Sequence, residues 1–225
     1  RAFCCAAFIF ARTANCCLPY SEKTQAYVAA AAIEVDRAME ALLDELEAAG
    51  KLDNTLIIAT GDHIPYSDVD VLEELAGKPF GSSEDLEYLR ESAIDFDVYK
   101  NTLIMWSASM DEPVEVDKVC CQVDILPTVS NLLGLEYDSR MLAGSDILSD
   151  SEGLVVFSSR CWKSDRGFYN RFTQTFTPAE GVTMTAEEQE EYVSAMRRLV
   201  SYKLDSTDLI IENDFYDYVF GQSGA

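Results

Sequence analysis

Apolar residues recur at spacings of three and four along a segment that begins at Ser21. They are Tyr27, Ala31, Val35, Met39, Leu42, Leu43 and Leu46. Charged residues occupy the other positions, a pattern that predicts an amphipathic helix. Gly50 follows, where a left-handed residue commonly ends a helix.

Short apolar runs lie on both sides of this helix. Residues 3–10 and 55–60 are predicted to be buried strands, since each is apolar and bounded by polar residues. Thr185 and Glu188 have capping-box spacing and predict another helix behind them. The other predicted elements are strands at 101–107 and 154–158, a helix at 123–133, and short helices within 68–97.

The order strand, helix, strand requires a crossover connection, which is typical of parallel strands. We therefore expect an α/β domain: a largely parallel, doubly wound sheet with flanking helices. It is predicted to span residues 1–204, with 205–225 as an acidic tail or a last strand. The chain opens without Met inside a predicted strand, so we expect a piece of a longer protein.

The charge is strongly negative, with 17 Lys and Arg against 40 Asp and Glu and a net charge of −23. Such a surface repels phosphate backbones, which argues against nucleic-acid binding. A phosphate-bearing substrate would need a metal ion or a local basic cluster. No apolar run approaches the ~20 residues that span a bilayer, so this chain is expected to be soluble.

Seven cysteines occur, at positions 4, 5, 16, 17, 120, 121 and 161. An odd number with three adjacent pairs does not form a disulfide framework, and no CxxC motif is present. Buried free thiols are the interpretation that fits this pattern.

The sharpest chemical feature is Gly61-Asp-His63, directly after the predicted strand 55–60. Sites of open α/β sheets lie beyond the carboxyl ends of the strands. Asp62 and the chain's single histidine, His63, offer an oxygen and a nitrogen ligand suited to Mn²⁺, Mg²⁺ or Zn²⁺. A structural hydrogen-bonding role for His63 is the alternative. No nucleophile elbow or glycine-rich phosphate loop is present.

A series of segments resembles the C-terminal half of lipoteichoic acid synthase-type phosphoglycerol transferases, in the sulfatase and alkaline phosphatase superfamily. The resemblance covers roughly residues 20 to 170, and collinear matches are more specific than one motif. The segments are Ala32-Ile-Glu-Val-Asp36, Asp53-Asn-Thr-Leu-Ile-Ile58, Gly61-Asp-His-Ile-Pro-Tyr66, Asn101-Thr-Leu-Ile-Met-Trp106, Val123-Asp-Ile-Leu-Pro-Thr128, Asn131-Leu-Leu-Gly134, Tyr137-Asp-Ser-Arg140, Gly144-Ser-Asp-Ile-Leu148 and Gly153-Leu-Val-Val-Phe157.

The resemblance implies a partial alkaline-phosphatase-like fold and a metal enzyme, usually with Mn²⁺. In this family a threonine attacks the phosphodiester of a phosphatidylglycerol headgroup, and phosphoglycerol passes to a growing polymer. Asp62 and His63 match two metal ligands. The nucleophilic threonine and an acidic ligand belong to the N-terminal half, which this sequence does not contain. The full-length parent is expected to be extracytoplasmic and membrane-anchored.

Substrate contacts are expected at Cys17, where the family has a histidine before a Pro-aromatic pair, and at the basic-aromatic group Trp162, Lys163 and Arg166. The alternative for that group is an ordinary strand-to-loop transition with surface bases. The isolated chain is expected to be inactive. Two other hypotheses stay open: a sulfuric or phosphoric ester hydrolase, and an inactive acidic scaffold module.

Overall fold

The computed structural model describes residues 20–62, 69–77, 79 and 100–221. The chain divides into two compact units, Arg1–Val114 and Glu115–Ala225, where the sequence predicts a single domain. The predicted strand at 3–10, Cys17, His63 and most of the acidic segment 68–97 lie outside the described residues.

The first unit begins with helix α1, Glu22–Ala48. Ser21 is its N-cap, and the Ser21 side chain accepts a hydrogen bond from the backbone N–H of Thr24. Gly50 has a φ of +63°, a conformation that glycine adopts without steric cost. Both ends of the predicted helix are therefore confirmed.

Strands β1, Ile57–Thr60, and β2, Leu103–Trp106, form a two-stranded sheet. They pair antiparallel, with Ile57 opposite Trp106 and Thr60 opposite Leu103. Both strands are confirmed, but a parallel arrangement is wrong for them. Residues 61–102 connect the two strands, and a connection of this length allows the chain to return in the opposite direction.

Helix α2, Val69–Ala76, confirms part of the predicted helical structure in the acidic segment. It packs against α1. Val71 and Leu72 are the buried apolar side chains of this unit among the described residues.

The second unit begins with a 3-10 turn at Gln122–Asp124 that leads into helix α3, Ile125–Leu132. Pro127 lies in the first turn of α3, where a missing N–H costs no intrahelical hydrogen bond. Gly134 follows the helix with a φ of +64°. The predicted helix at 123–133 is thus confirmed, with its first residues wound as a 3-10 turn.

Four strands form an antiparallel meander in which each pairs with its neighbour in sequence. They are β3, Leu154–Val156; β4, Trp162–Ser164; β5, Gly167–Asn170; and β6, Thr175–Pro178. Both sheets of the described residues are therefore small and antiparallel, which corrects the prediction of a largely parallel sheet. Turns of a few residues join β4 to β5 and β5 to β6, and such turns permit only antiparallel pairing.

Helix α4, Ala186–Glu212, packs on one face of the meander. The predicted capping box is present: the Thr185 side chain accepts from Glu188 N–H, and the Glu188 carboxylate accepts from Thr185 N–H. The core beneath α4 is formed by Trp162, Tyr169, Met196 and Val200.

The C-terminal region is helical where a tail or a last strand is expected. Helix α4 continues through Glu212, and helix α5 covers Phe215–Phe220. The acidic residues of this region are exposed, and Asp205 forms an ion pair with Arg160, with Nη2 and Oδ1 2.9 Å apart. No helix in the described part of the chain combines the length and apolar character that a membrane span needs.

Candidate functional site

Asp62 is exposed and lies two residues beyond the end of β1. The ladder with β2 holds this strand end, because Thr60 is paired with Leu103. Gly61 separates the strand from Asp62. The structure therefore places the predicted carboxylate at the carboxyl end of a strand, as the sequence indicates.

The backbone at Gly61 is closely approached by the side chain of Asn101, which precedes β2. A Cβ atom at position 61 would lie 2.8 Å from Asn101 Oδ1. A side chain at position 61 would require the Asn101 amide to move, so glycine suits this approach. The approach brings an amide side chain next to the residue that precedes Asp62. Sequence reasoning did not select Asn101, since its neighbour Gly61 is forty positions away along the chain.

Of the two predicted metal ligands, the structure describes only Asp62, because His63 lies outside the described residues. Among residues 20–62, 69–77, 79 and 100–221, no group of three His, Cys, Asp or Glu side chains is arranged to hold a metal ion. The exposed Asp62 carboxylate is a hard oxygen donor of the kind that Mn²⁺ and Mg²⁺ accept. The donor chemistry at Asp62 fits such an ion, and completing the shell requires further ligands.

Trp162 is wholly buried in an aromatic cluster beneath α4. Its indole stacks on Tyr169 with ring centroids 5.5 Å apart, and it contacts Phe176 at 5.6 Å and Tyr192 at 5.8 Å. With none of its surface exposed, the side chain has no open face for a headgroup. In this unit Trp162 is a core residue.

Lys163 and Arg166 lie in different surroundings. Lys163 is half-buried and alternates with Trp162 along β4, so the two side chains point to opposite faces of the meander. Arg166 lies in the turn between β4 and β5, where its Nε is 3.4 Å from Glu152 Oε1. Its guanidinium also lies 4.9 Å from the ring centroid of Tyr192. The aromatic ring that the Arg166 guanidinium contacts is therefore the ring of Tyr192.

Tyr192 is the polar centre of this region. Its hydroxyl donates to Glu152 Oε1 at 2.5 Å and lies 2.7 Å from Ser164 Oγ. Burial and the neighbouring Glu152 carboxylate raise the pKa of Tyr192 to about 12. The hydroxyl therefore stays protonated at neutral pH and acts as a hydrogen-bonding group.

The described cysteines are free thiols, as predicted. Cys161 is buried, whereas Cys120 and Cys121 are half-buried. Burial, with the nearby Asp124 carboxylate as second cause, raises the pKa of the Cys121 thiol to about 11, and the same two causes raise that of Cys120. These thiols are poor nucleophiles at neutral pH, because the thiolate is the reactive form.

Asp124 is a buried carboxylate that sequence analysis did not single out. It accepts hydrogen bonds from the backbone N–H groups of Cys121 and Ser145, both at 2.8 Å. Thr128 Oγ1 donates to the Asp124 carbonyl at 2.6 Å and accepts from Ile147 N–H at 2.9 Å. Asp124 and Thr128 thus join α3 to the loop at 144–147. The segment Val123-Asp-Ile-Leu-Pro-Thr128 therefore has a structural role.

A protein-family model described as Sulfatase matches residues 12–135, more than half of the chain. The chain therefore belongs to the sulfatase family. It is related to the lipoteichoic acid synthases: Lipoteichoic acid synthase 2 of Bacillus subtilis (strain 168) is 25% identical over 189 residues, which are 81% of this chain and 27% of that protein.

A solved structure gives a similar result for the fold. The crystal structure of the lipoteichoic acid synthase LtaP from Listeria monocytogenes superposes with a TM-score of 0.55 at 18% identity. The match covers 85% of this chain and 48% of that one. The chain thus carries part of a sulfatase-like fold and spans about a quarter of the curated relative.

Proposed function

We propose that the chain is part of a metal-dependent phosphoglycerol transferase that acts on phosphatidylglycerol headgroups, in the synthesis of lipoteichoic acid or a related cell-envelope polymer. The observation that carries this proposal is Asp62, exposed just beyond β1 and inside the region that matches the sulfatase family. The relatives named as lipoteichoic acid synthases supply the substrate class. The full-length parent would work outside the cytoplasm and be anchored to the membrane.

Asp62 and His63 would hold the metal ion, with Mn²⁺ expected and Mg²⁺ or Zn²⁺ as alternatives. Such an ion polarises a phosphoryl oxygen and lowers the pKa of a hydroxyl bound to it. Asp62 itself would supply negative charge at the strand end, and the β1–β2 ladder would keep that carboxylate in place. A cation there also offsets the repulsion between an anionic headgroup and a chain of net charge −23.

Lys163, Arg166 and Cys17 remain candidate contacts to the headgroup or to the glycerolphosphate polymer. Arg166 already lies against Glu152, so an incoming phosphate would compete with a carboxylate for the same guanidinium. Trp162 would act only as support for β4. The nucleophilic threonine and the remaining ligands are proposed to come from the N-terminal half of the same domain, and this chain alone is expected to be inactive.

The test is the thermal midpoint of the chain across a Mn²⁺ titration. A ligand that binds only the folded chain stabilises it by RT ln(1 + [L]/Kd), or about 2.7 kcal/mol at a hundredfold excess over Kd. We expect a rise that Asp62→Ala abolishes. Asp53→Ala is the matched control, because Asp53 is an exposed acid in the turn before β1. An equal rise in all three proteins would refute the site.

A second candidate, hydrolysis of a sulfate or phosphate ester, is favoured by the sulfatase family match. The two reactions differ in the acceptor, which is a polymer hydroxyl in transfer and water in hydrolysis. Full-length protein should release diacylglycerol from phosphatidylglycerol faster than it releases sulfate from an aryl sulfate. Preferential sulfate release would favour the hydrolase, and the absence of turnover and of metal affinity would favour an acidic scaffold module.

A further inference from the structure

Helix α5 carries apolar side chains around its whole circumference. Asp217 is its single polar residue, and the others are Phe215, Tyr216, Tyr218, Val219 and Phe220. A helix that is apolar all round is normally buried, yet every residue from 211 to 221 is exposed. Tyr218 keeps 71% of its surface exposed and Phe220 keeps 59%. Helix α5 is therefore an apolar element that nothing covers in the part of the chain that the structure describes.

The end of α4 extends this apolar surface. Leu209 and Ile211 are exposed, Ile211 with 75% of its surface, and α5 packs against α4. Within α5, the rings of Tyr216 and Phe220 stack with centroids 6.3 Å apart. We call the apolar residues of α5, together with Leu209 and Ile211, the C-terminal face. Exposed apolar surface that is rich in aromatic residues is typical of protein interfaces.

The C-terminal face is held on its own unit by two contacts to one loop. The Tyr216 hydroxyl donates to the Met141 carbonyl at 3.1 Å, and the Lys203 ammonium donates to the Ala143 carbonyl. Both helices are thus tied to the same short segment. A surface that is ordered before binding loses less conformational entropy on association. The face is therefore preformed.

The charge along the C-terminal face is of one sign. Five acids and no Lys, Arg or His follow Lys203 in the sequence. The first of them, Asp205, is paired with Arg160, with Nη2 and Oδ1 2.9 Å apart. The others are exposed and alternate in sequence with the apolar residues of the face: Asp208, Glu212, Asp214 and Asp217. Acids in these positions favour a partner of positive charge.

The same charge argues against two other occupants. A second copy of this chain would place its own acids against these, and like charges facing each other across an interface are costly. An anionic lipid surface has a negative potential that also repels acidic side chains. A helix that presents Lys or Arg beside an apolar stripe satisfies both the charge and the apolar surface.

We propose that the C-terminal face is a docking surface for a partner protein that presents a basic amphipathic helix. The apolar stripe of that helix would cover Tyr218 and Phe220, and its basic side chains would lie opposite Asp214 and Asp217. This binding is independent of the proposed metal site and of phosphoglycerol transfer, because none of these residues is among the proposed metal or headgroup contacts.

The experiment measures the binding of a synthetic amphipathic helix of Leu and Lys by fluorescence anisotropy, with a helix of Leu and Glu as the control probe. We expect only the Leu-Lys helix to bind. Tyr218→Ser combined with Phe220→Ser should weaken its binding about tenfold, since buried aromatic anchors carry much of the binding free energy. Phe172→Ser changes an aromatic side chain that is 51% exposed outside the face, and it should leave the affinity within about twofold.

The acids are tested in the same assay. Asp214→Asn combined with Asp217→Asn should weaken binding about fivefold at low salt and less at about 0.5 M NaCl, where charges are screened. The matched control is Asp117→Asn combined with Asp150→Asn, two exposed acids of the same unit outside the face. Bound peptide should slow amide hydrogen exchange at 209–220. Thermal unfolding of each variant verifies that it is folded.

Unchanged affinity in the Tyr218→Ser and Phe220→Ser variant would overturn the proposal, because attraction to the net charge of −23 would then explain the binding. Absence of binding by the Leu-Lys helix would overturn it as well. Three further results would assign the face to another occupant and so refute a partner protein. They are a dimer that the same substitutions abolish, tighter binding to phosphatidylglycerol vesicles than to the peptide, and loss of peptide binding in the full-length parent.

Discussion

The indole of Trp162 and the phenol of Tyr169 are stacked at 5.5 Å and 17°, and each buries a polar atom that has no hydrogen-bond partner among the described residues. These atoms are the Trp162 Nε1 and the Tyr169 hydroxyl. Tyr192, which packs on the same indole at 5.8 Å, has its hydroxyl bonded to Ser164 and Glu152. Two tyrosines of one cluster thus differ in whether their hydroxyls are satisfied.

Replacing each tyrosine by phenylalanine should therefore have opposite effects. Tyr169→Phe removes a buried unpaired hydroxyl, and we expect the free energy of unfolding to stay level or rise by up to ~1 kcal/mol. Tyr192→Phe removes the hydroxyl that is hydrogen-bonded to Ser164 and Glu152. This change should lower the free energy of unfolding by about 1 to 2 kcal/mol. Urea unfolding of the two variants measures both values. A larger loss for Tyr169→Phe than for Tyr192→Phe would contradict the assignment.

Gly144 should tolerate no side chain. A Cβ there would collide with the Val123 carbonyl and lie 2.7 Å from the backbone N of Asp124. We expect Gly144→Ala to cost about 3 kcal/mol, because backbone atoms cannot move aside as a side chain can. Gly134→Ala is the matched control: its φ is +64° with open space around it, so strain alone should cost about 1 kcal/mol. Thermal unfolding of both variants tests whether Gly144→Ala lowers the stability more than Gly134→Ala does.

Asp138 should titrate at unusually low pH. Hydrogen bonds from the Arg140 side chain, and then from its backbone N–H, lower the pKa of Asp138 from 3.8 to about 2. Because the folded pKa lies below the unfolded one, this pair stabilises the folded chain above pH 3.8, and the contribution is lost as the pH falls toward 2. NMR titration should show the Asp138 pKa returning toward 3.8 in Arg140→Ala. An unchanged titration would exclude the Arg140 contact.

Cys121 should react slowly with iodoacetamide. Its thiol pKa of about 11 leaves little thiolate at pH 8.5. Peptide mass spectrometry should show alkylation at Cys121 at least tenfold slower in the folded chain than in urea. Since the folded pKa exceeds the unfolded value of 9.0, stability should also fall as the pH rises from 9 toward 11. Equal rates in the two conditions would show that the thiol is open to solvent.

The helices could be predicted from the sequence because their signals are local. Ser21 and Gly50 mark the two ends of α1, and Thr185 with Glu188 marks the start of α4. Strand direction carries no such signal, since an apolar run of four residues looks the same in parallel and antiparallel pairs. The antiparallel direction of β2 relative to β1 is therefore seen only in the structure.

The candidate site was predictable only in part, for a similar reason. Asp62 follows a recognisable strand, so its position at the strand end could be inferred. Glu74 is one of ten acids between positions 68 and 97. The hydroxyls of Ser21 and Thr24, which donate hydrogen bonds to its carboxylate, lie about fifty residues earlier in the chain. Trp162 next to Lys163 suggested a surface group, but the alternation of β4 buries the first and turns the second away.

The neighbour-to-neighbour pairing of β3–β6 has a consequence for how the chain folds. Each hairpin closes over a few residues, and hairpins of this kind form in about 1–10 μs. The pairing of β1 with β2 must first close the loop 61–102, and the entropic cost of closure grows with loop length. We therefore expect the second unit to fold early, because its contacts are local, and the strand end that carries Asp62 to be completed later.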